Sequence, residues 1–356
     1  MSENDKQVPS ALVGVGTKAL TVRSATLVKR GLALAKSLKN SAGMFEGRYE
    51  KLSEEGGRKA IKEVALHLKA QEEKRRLLDA ADPDGAIEES RTAIPLMPDD
   101  PLPHYHLGVA LYAKGDVDGA IAEFRTAVRL QPDYAAAHFR LGFALYKKGD
   151  LDGAISEYRE AIRLKPDGAD AHMNLGLALW EKGDIDGAIA ENRIAVLLQP
   201  DYAGPHMNLG LMLNDYKGDL DGAIEEFRTA IRLMPDDPVP HYHLGVALYK
   251  KGDLDGAIAE RRIVVRLEPD NVLPHHELGF ALYEKGDLDG AIAELRIAVR
   301  LQPDNALVHH DLGVALEMKG DRLAALDEIE IARELDPNDS SIAETYERIR
   351  RGPRLS

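Results

Sequence analysis

The chain has 356 residues, a formal charge of −14 and 30% charged side chains, the profile of a well-solvated protein built as two or three domains or as one elongated array. It contains no cysteine and only 5% aromatics. Disulfides, thiolate metal sites and thiol catalysis are therefore excluded, and Ala/Leu-rich helical packing is favoured over an aromatic-rich core. No run approaches the ~20 apolar residues that a membrane-spanning helix requires. The opening MSENDKQVPSALVGVG lacks the basic-then-apolar order of a secretory leader, so the cytoplasm is the expected compartment.

Charge divides the chain. From Lys6 to Phe45 there are seven Lys/Arg and no acid; residues 1–80 carry a net +6 and the remainder −20. Residues 1–57 form a basic segment, partly helical or flexible. Within it VRSATLVKRGLALAKSLKN (22–40) reads as a basic amphipathic helix, and NSAGMFEGRYEKLSEEGG (40–57) as a linker. VGVGTKAL (13–20) has the wrong spacing for a phosphate-binding loop, and Ala19 stands where a hydroxyl is needed. An acid-free basic stretch at 6–45 suits an anionic membrane surface or self-association, or simple packing on the acidic body. Residues 58–100 hold a helix with Ile61, Val64 and Leu68 on one stripe, then a degenerate first repeat in ADPDGAIEESRTAIPLMPDD (81–100), its helix expected to be cut short by Pro95.

From residue 84 the sequence repeats. DGAI begins at Asp84, Asp118, Asp152, Asp186, Asp221, Asp255 and Asp289, in steps of 34 residues with one step of 35. Each unit holds two helical patterns. In 101–134, His104, Leu107, Gly108 and Leu111 share one helical face, and Ala120, Ile121, Phe124, Ala127 and Val128 form the stripe of a second helix. Gly115 suits a left-handed helix end, Asp116 and Asp118 suit the next helix start, and Pro132 stops it. Neither stripe can be buried within one hairpin, so hairpins must stack.

With Leu-Gly at positions 7–8, Ala at 20, an aromatic at 24, Ala at 27 and Pro at 32, the units resemble the tetratricopeptide repeat over 101–339, in seven full copies. The resemblance implies an all-α, right-handed α-solenoid (a superhelix of stacked helix-turn-helix repeats), with the helical N-terminal extension before it and residues 340–356 as a capping helix and tail. Position 4 is histidine in all seven units, and Asn192 and Arg261 replace the aromatic at position 24. The decapeptide PHYHLGVALY occurs at 103–112 and 240–249, within blocks 84–123 and 221–260 that agree at 35 of 40 positions. Duplication of a four-unit block, with one residue inserted in LMLNDYKGD (211–219), accounts for this.

No metal site is expected, since His104/His106 and His275/His276 are spaced so that they do not share a helical face. No cofactor loop or catalytic motif appears, and an acidic body disfavours nucleic acid. The resemblance instead implies a non-catalytic protein-interaction scaffold, with first-helix positions 2, 5, 9, 12 and nearby lining a concave groove, and position 6 carrying a peptide-holding asparagine ladder in some members. Those positions here include Tyr105, Tyr112, Phe139, Tyr146, Met173, Asn174, Trp180, Met207, Asn208, Tyr242, Tyr249 and Tyr283. The expected partner is a protein or peptide with apolar anchors or basic charge. The alternative is a self-assembling or membrane-recruited scaffold using the basic segment.

Overall fold

The computed structural model describes residues 83–351, so the readings for 1–57 and for the helix at 58–80 lie outside the described residues. Among the described residues there are sixteen α-helices, one π-helical turn and no strand. They fall into two compact units that divide between Pro235 and Asp236.

The first unit runs α1 (Pro83–Leu96), α2 (Pro101–Ala113), α3 (Val117–Leu130), α4 (Ala135–Lys148), α5 (Leu151–Leu164), α6 (Ala169–Lys182), α7 (Ile185–Leu198), α8 (Ala203–Met212) and α9 (Leu220–Leu233). The second runs α10 (Pro238–Lys251), α11 (Leu254–Leu267), α12 (Val272–Lys285), α13 (Leu288–Leu301), α14 (Ala306–Lys319), α15 (Arg322–Leu335) and α16 (Ser340–Arg351). In each unit every helix packs chiefly on its neighbours in sequence. This is the all-α solenoid architecture, with even-numbered helices as the first and odd-numbered as the second of each hairpin.

Local chemistry sets the boundaries. Asp116, Asp150 and Asp184 each accept the backbone N–H three residues on, at Gly119, Gly153 and Gly187, satisfying an orphan amide at the helix start. The preceding first helix ends where Gly149 or Gly183 turns left-handed at φ +89 or +93, a conformation that costs glycine little. Between the helices small residues permit close approach. Ala120 and Ala127 are wholly buried, and a Cβ on Gly108 would lie 2.6 Å from the Phe124 ring. Burying Phe124 contributes ~3 kcal/mol or less, and it is available only because position 8 lacks a side chain.

Two features depart from or complete the sequence expectation. Pro95 does not shorten its helix: α1 runs for 14 residues, as long as α3, with Pro95 inside its last turn. So near the end the proline removes a single backbone bond rather than breaking a ladder. The residue inserted in 211–219 is absorbed as a π turn at Leu213–Lys217, closed by Gly218 at φ +65. Widening one turn keeps α9 in register against α8. At the far end α16 buries Ile342 and Ile349, as a capping helix should.

Candidate partner-binding face

The repeated histidines are structural clamps. His138 and His172 place Nδ1 2.7 Å from Glu157 and Glu191 on the second helix, and Nε2 3.0 and 3.1 Å from the Pro132 and Pro166 carbonyls. His206, His275 and His309 repeat both contacts, and His104 and His241 keep the glutamate. A carbonyl only accepts, so Nε2 carries a proton there, and both ring nitrogens are spent holding the hairpin to the preceding turn. At His206 burial opposes the charged form, but the Glu226 hydrogen bond and the Pro200 carbonyl outweigh it and raise the pKa. At His275 the Glu294 bond raises it against burial.

The first helices lie side by side within each unit, and hydrogen bonds 35 residues apart join them. Tyr146 donates to Glu181 at 2.6 Å in the first unit; in the second, Tyr242 donates to Glu277 at 3.2 Å and His276 to Asp311 at 2.7 Å. His310 reaches Thr345 of α16 at 3.2 Å, so the capping helix stands where another first helix would. Burial and the Glu181 bond push the Tyr146 phenol pKa up. Burial would raise Asp311, but the bonds from His276 and His310 hold it below the usual carboxylate range.

In the first unit the expected residues form an apolar row. Tyr105 and Phe139 are half-buried at position 5, with Tyr105 5.2 Å from the Tyr134 ring and Phe139 5.9 Å from Tyr158. Tyr112 meets Phe143 edge-on at 5.4 Å, beside a recess also lined by Val109, Phe124 and Arg140. Further along the row closes: Met173 is 3% exposed, Met207 2%, Tyr146 5% and Trp180 1%. In the second unit the same positions are more polar. Tyr242 serves Glu277, Tyr249 lies under the Arg261 guanidinium at 5.3 Å, and Tyr283 is half-buried with its pKa raised by burial.

The two asparagines expected as rungs for a peptide make bonds within the array. Asn174 donates to the Asp170 carbonyl at 2.6 Å and faces the Tyr158 hydroxyl at 3.5 Å; Asn208 donates to Asn192 at 3.2 Å. This exposes a rule that the residue-by-residue reading missed. Position 24 of one repeat touches position 6 of the next, 16 residues on. Where position 24 is polar, position 6 answers it, as in Asn192–Asn208 and in Arg261–Glu277, whose Nε and Oε2 are 3.7 Å apart. The two departures from the repeat pattern are thus each half of a matched pair.

A family model described as TPR repeat matches residues 108–149, 144–183, 216–252, 247–286 and 281–320, and a second, described as Tetratricopeptide repeat, matches 169–202. No curated protein matches the sequence. Among solved structures, the C-terminal part of a TPR repeat-containing protein from Cytophaga hutchinsonii is similar at TM-score 0.59 and 18% identity, covering 68% of this chain and 98% of that one. YrrB, described as a TPR protein with an unusual peptide-binding site, is similar at TM-score 0.50 and 21% identity, covering 54% of this chain and 98% of its own.

Proposed function

Because the chain belongs to the tetratricopeptide-repeat family, we propose that it is a non-catalytic protein-interaction scaffold whose first-helix row holds a peptide or helix of a partner. The observation that carries this reading is the apolar row at position 5, open at the half-buried Tyr105 and Phe139 and closed at the buried Met173 and Met207. Aromatic side chains give large contact area at small entropic cost, and methionine adapts its shape to a ligand. The half-buried Tyr105, Tyr112 and Phe139 are the anchors within reach of a ligand. The acidic body favours basic residues flanking the partner's apolar anchors and speeds their encounter. YrrB, similar in fold, supplies a precedent for peptide binding on this architecture.

The test is selection of peptides from a random display library against the full chain, then measurement of their affinity for Tyr105→Glu and Phe139→Glu. Loss of at least tenfold, with helicity retained, is expected. Unchanged affinity discards the row as the binding surface.

A further inference from the structure

Within the first unit the row changes sign along its length. At position 13 the successive first helices carry Ala113, Lys147, Glu181 and Asp215, and at position 6 they carry His106, Arg140, Asn174 and Asn208. Neither α2 nor α4 contains an acid. α6 and the π turn after α8 bring Asp170, Glu181 and Asp215. The lysines at position 14, Lys148 and Lys182, reach away from the row to Asp118 and Asp152 on the preceding second helices. Arg140 and Lys147 therefore set the sign of the α2–α4 half.

Both cations stand on rings of the row. The Arg140 guanidinium lies 5.9 Å from the Phe139 centroid, and the Lys147 ammonium 5.2 Å from Phe143 and 5.9 Å from Tyr146. Arg140 also borders the shallow recess beside Tyr112 and Phe143. On the acidic side Glu181 accepts from the Tyr146 hydroxyl at 2.6 Å, which holds its carboxylate beside position 12, and Asp215 accepts from the Asn214 amide at 2.7 Å. A guanidinium poised over a ring keeps its charge and its fork of donors for a carboxylate. Screening confines each charge to ~10 Å at 0.1 M salt. A ligand on α2–α4 thus meets Arg140 and Lys147 first, and the acidic body only at a distance.

We propose that the partner segment is a charge-polarised peptide: an acidic residue beside its apolar anchor docks at Arg140 and Lys147, and a basic residue farther along meets Glu181 and Asp215. This inference rests on the groove reading above and names the chemistry of the partner. Packed helices lie ~10 Å apart and an extended peptide advances ~3.3 Å per residue, so acid and base are separated by about three residues for each first helix crossed. The half-buried Tyr105 and Phe139 supply the affinity, and the two signs supply direction and register. A segment laid the other way sets carboxylate against carboxylate, and a uniformly basic one sets cation against cation at α4. Such like-charge contacts reject the wrong ligand.

The test uses peptides selected from the random display library against the full chain and aligned on their apolar anchor. The expected pattern is Asp or Glu next to the anchor and Lys or Arg about three to six residues beyond. The tightest peptide is then measured against Arg140→Glu with Lys147→Glu and against the milder Arg140→Gln with Lys147→Gln, with circular dichroism as the check on folding. Affinity should fall about threefold for the Gln pair and about tenfold or more for the Glu pair. The same peptide with its acid changed to Lys should bind wild type weakly and recover on the Glu pair, a gain that a packing defect does not produce. If the Glu pair loses helicity, the Gln pair and the changed peptide on wild type decide. Selected peptides that are basic throughout, affinity indifferent to Arg140 and Lys147, or a folded Glu pair that gives the changed peptide no recovery each overturn the proposal. Failure of the groove reading is distinct: affinity would then also survive Tyr105→Glu and Phe139→Glu, whereas a groove without polarity loses affinity there and keeps it at Arg140 and Lys147. A library that yields no peptide overturns both.

Discussion

The two copies of PHYHLGVALY fold into the same helix but live in different surroundings. In the first, Gly108 faces Phe124, and an added Cβ would sit 2.6 Å from that ring. In the second, Gly245 faces Arg261, and the nearest atom to an added Cβ is 3.5 Å away. Tyr105 leans on Phe124 with centroids 6.0 Å apart, whereas Tyr242 turns its hydroxyl to Glu277. His106 is exposed; His243 is buried, and burial holds its pKa down at about 3. The ten residues are the same, so at Gly108 and Gly245, and at Tyr105 and Tyr242, the difference is made by position 24 of the same repeat and position 6 of the next. A repeat's sequence sets its hairpin. The neighbour decides what each side chain does there.

The largest effect expected from this comparison is at the charged pair. Arg261 is 2% exposed and Glu277 9%, and a buried charge stripped of its partner costs ~3 kcal/mol or more. Glu277→Gln should therefore destabilise the protein by about that much in urea unfolding, while Arg261→Leu with Glu277→Gln recovers most of the loss. If the double variant is no better than the single, the two residues are not a coupled pair.

Next comes the glycine. Gly108→Ala should cost ~1–3 kcal/mol by overpacking against Phe124. Gly245→Ala has ordinary contact distances and should be neutral or stabilise by up to ~1 kcal/mol through helix propensity. Equal costs in chemical denaturation would show that the identity of position 24 does not set the space at position 8.

These cases also mark what the sequence discloses. The 34-residue rhythm, the Asp caps, the left-handed glycines and the Leu-Gly/Ala interlock are local chemistry repeated many times, and all are readable from residues 101–134 alone. Pro95 misleads because a proline rule for helix interiors meets a helix with one turn left. The inserted residue at 211–219 announces a disturbance but not its form, since a π turn and a bulged loop share that sequence. The row proposed to bind a partner is half legible. Position numbers identify Tyr105 and Phe139 as available side chains, yet they cannot reveal that Trp180 and Met207 are covered or that Asn208 is spent on Asn192. The signal existed as a 16-residue offset between polar residues. It becomes visible only when repeats are aligned in pairs rather than singly.

A smaller effect separates the histidine clamps from the rest of the hairpin. His206 and His275 have folded-state pKa values raised above 6.5, so their contribution to stability is complete below about pH 6.5 and is lost as pH rises through the higher folded value. Stability should decline from pH 6 to 9 by more in wild type than in Glu226→Gln or Glu294→Gln, which remove the acceptor. A slope that is the same in all three proteins would place the pH dependence elsewhere.

The smallest effect is the control that the comparison needs. Within each unit a ladder of exposed ion pairs links first helices to the second helices before them, including Lys148–Asp118 at 2.6 Å and Lys285–Asp255 at 2.5 Å. These two pairs correspond across the duplicated blocks, and their surroundings match: the lysines are 53% and 49% exposed and the aspartates 78% and 76%. Exposed pairs of this kind contribute ~0–1 kcal/mol. Lys148→Ala and Lys285→Ala should thus cost equally little, within ~0.5 kcal/mol, and both costs should vanish at 1 M salt, where screening acts over ~3 Å. Alike neighbours then give alike energies, just as the unlike neighbours of Gly108 and Gly245 give unlike ones. Markedly unequal costs at the two lysines would mean that position along the array outweighs the immediate neighbour, and the explanation of the two decapeptides would fail with it.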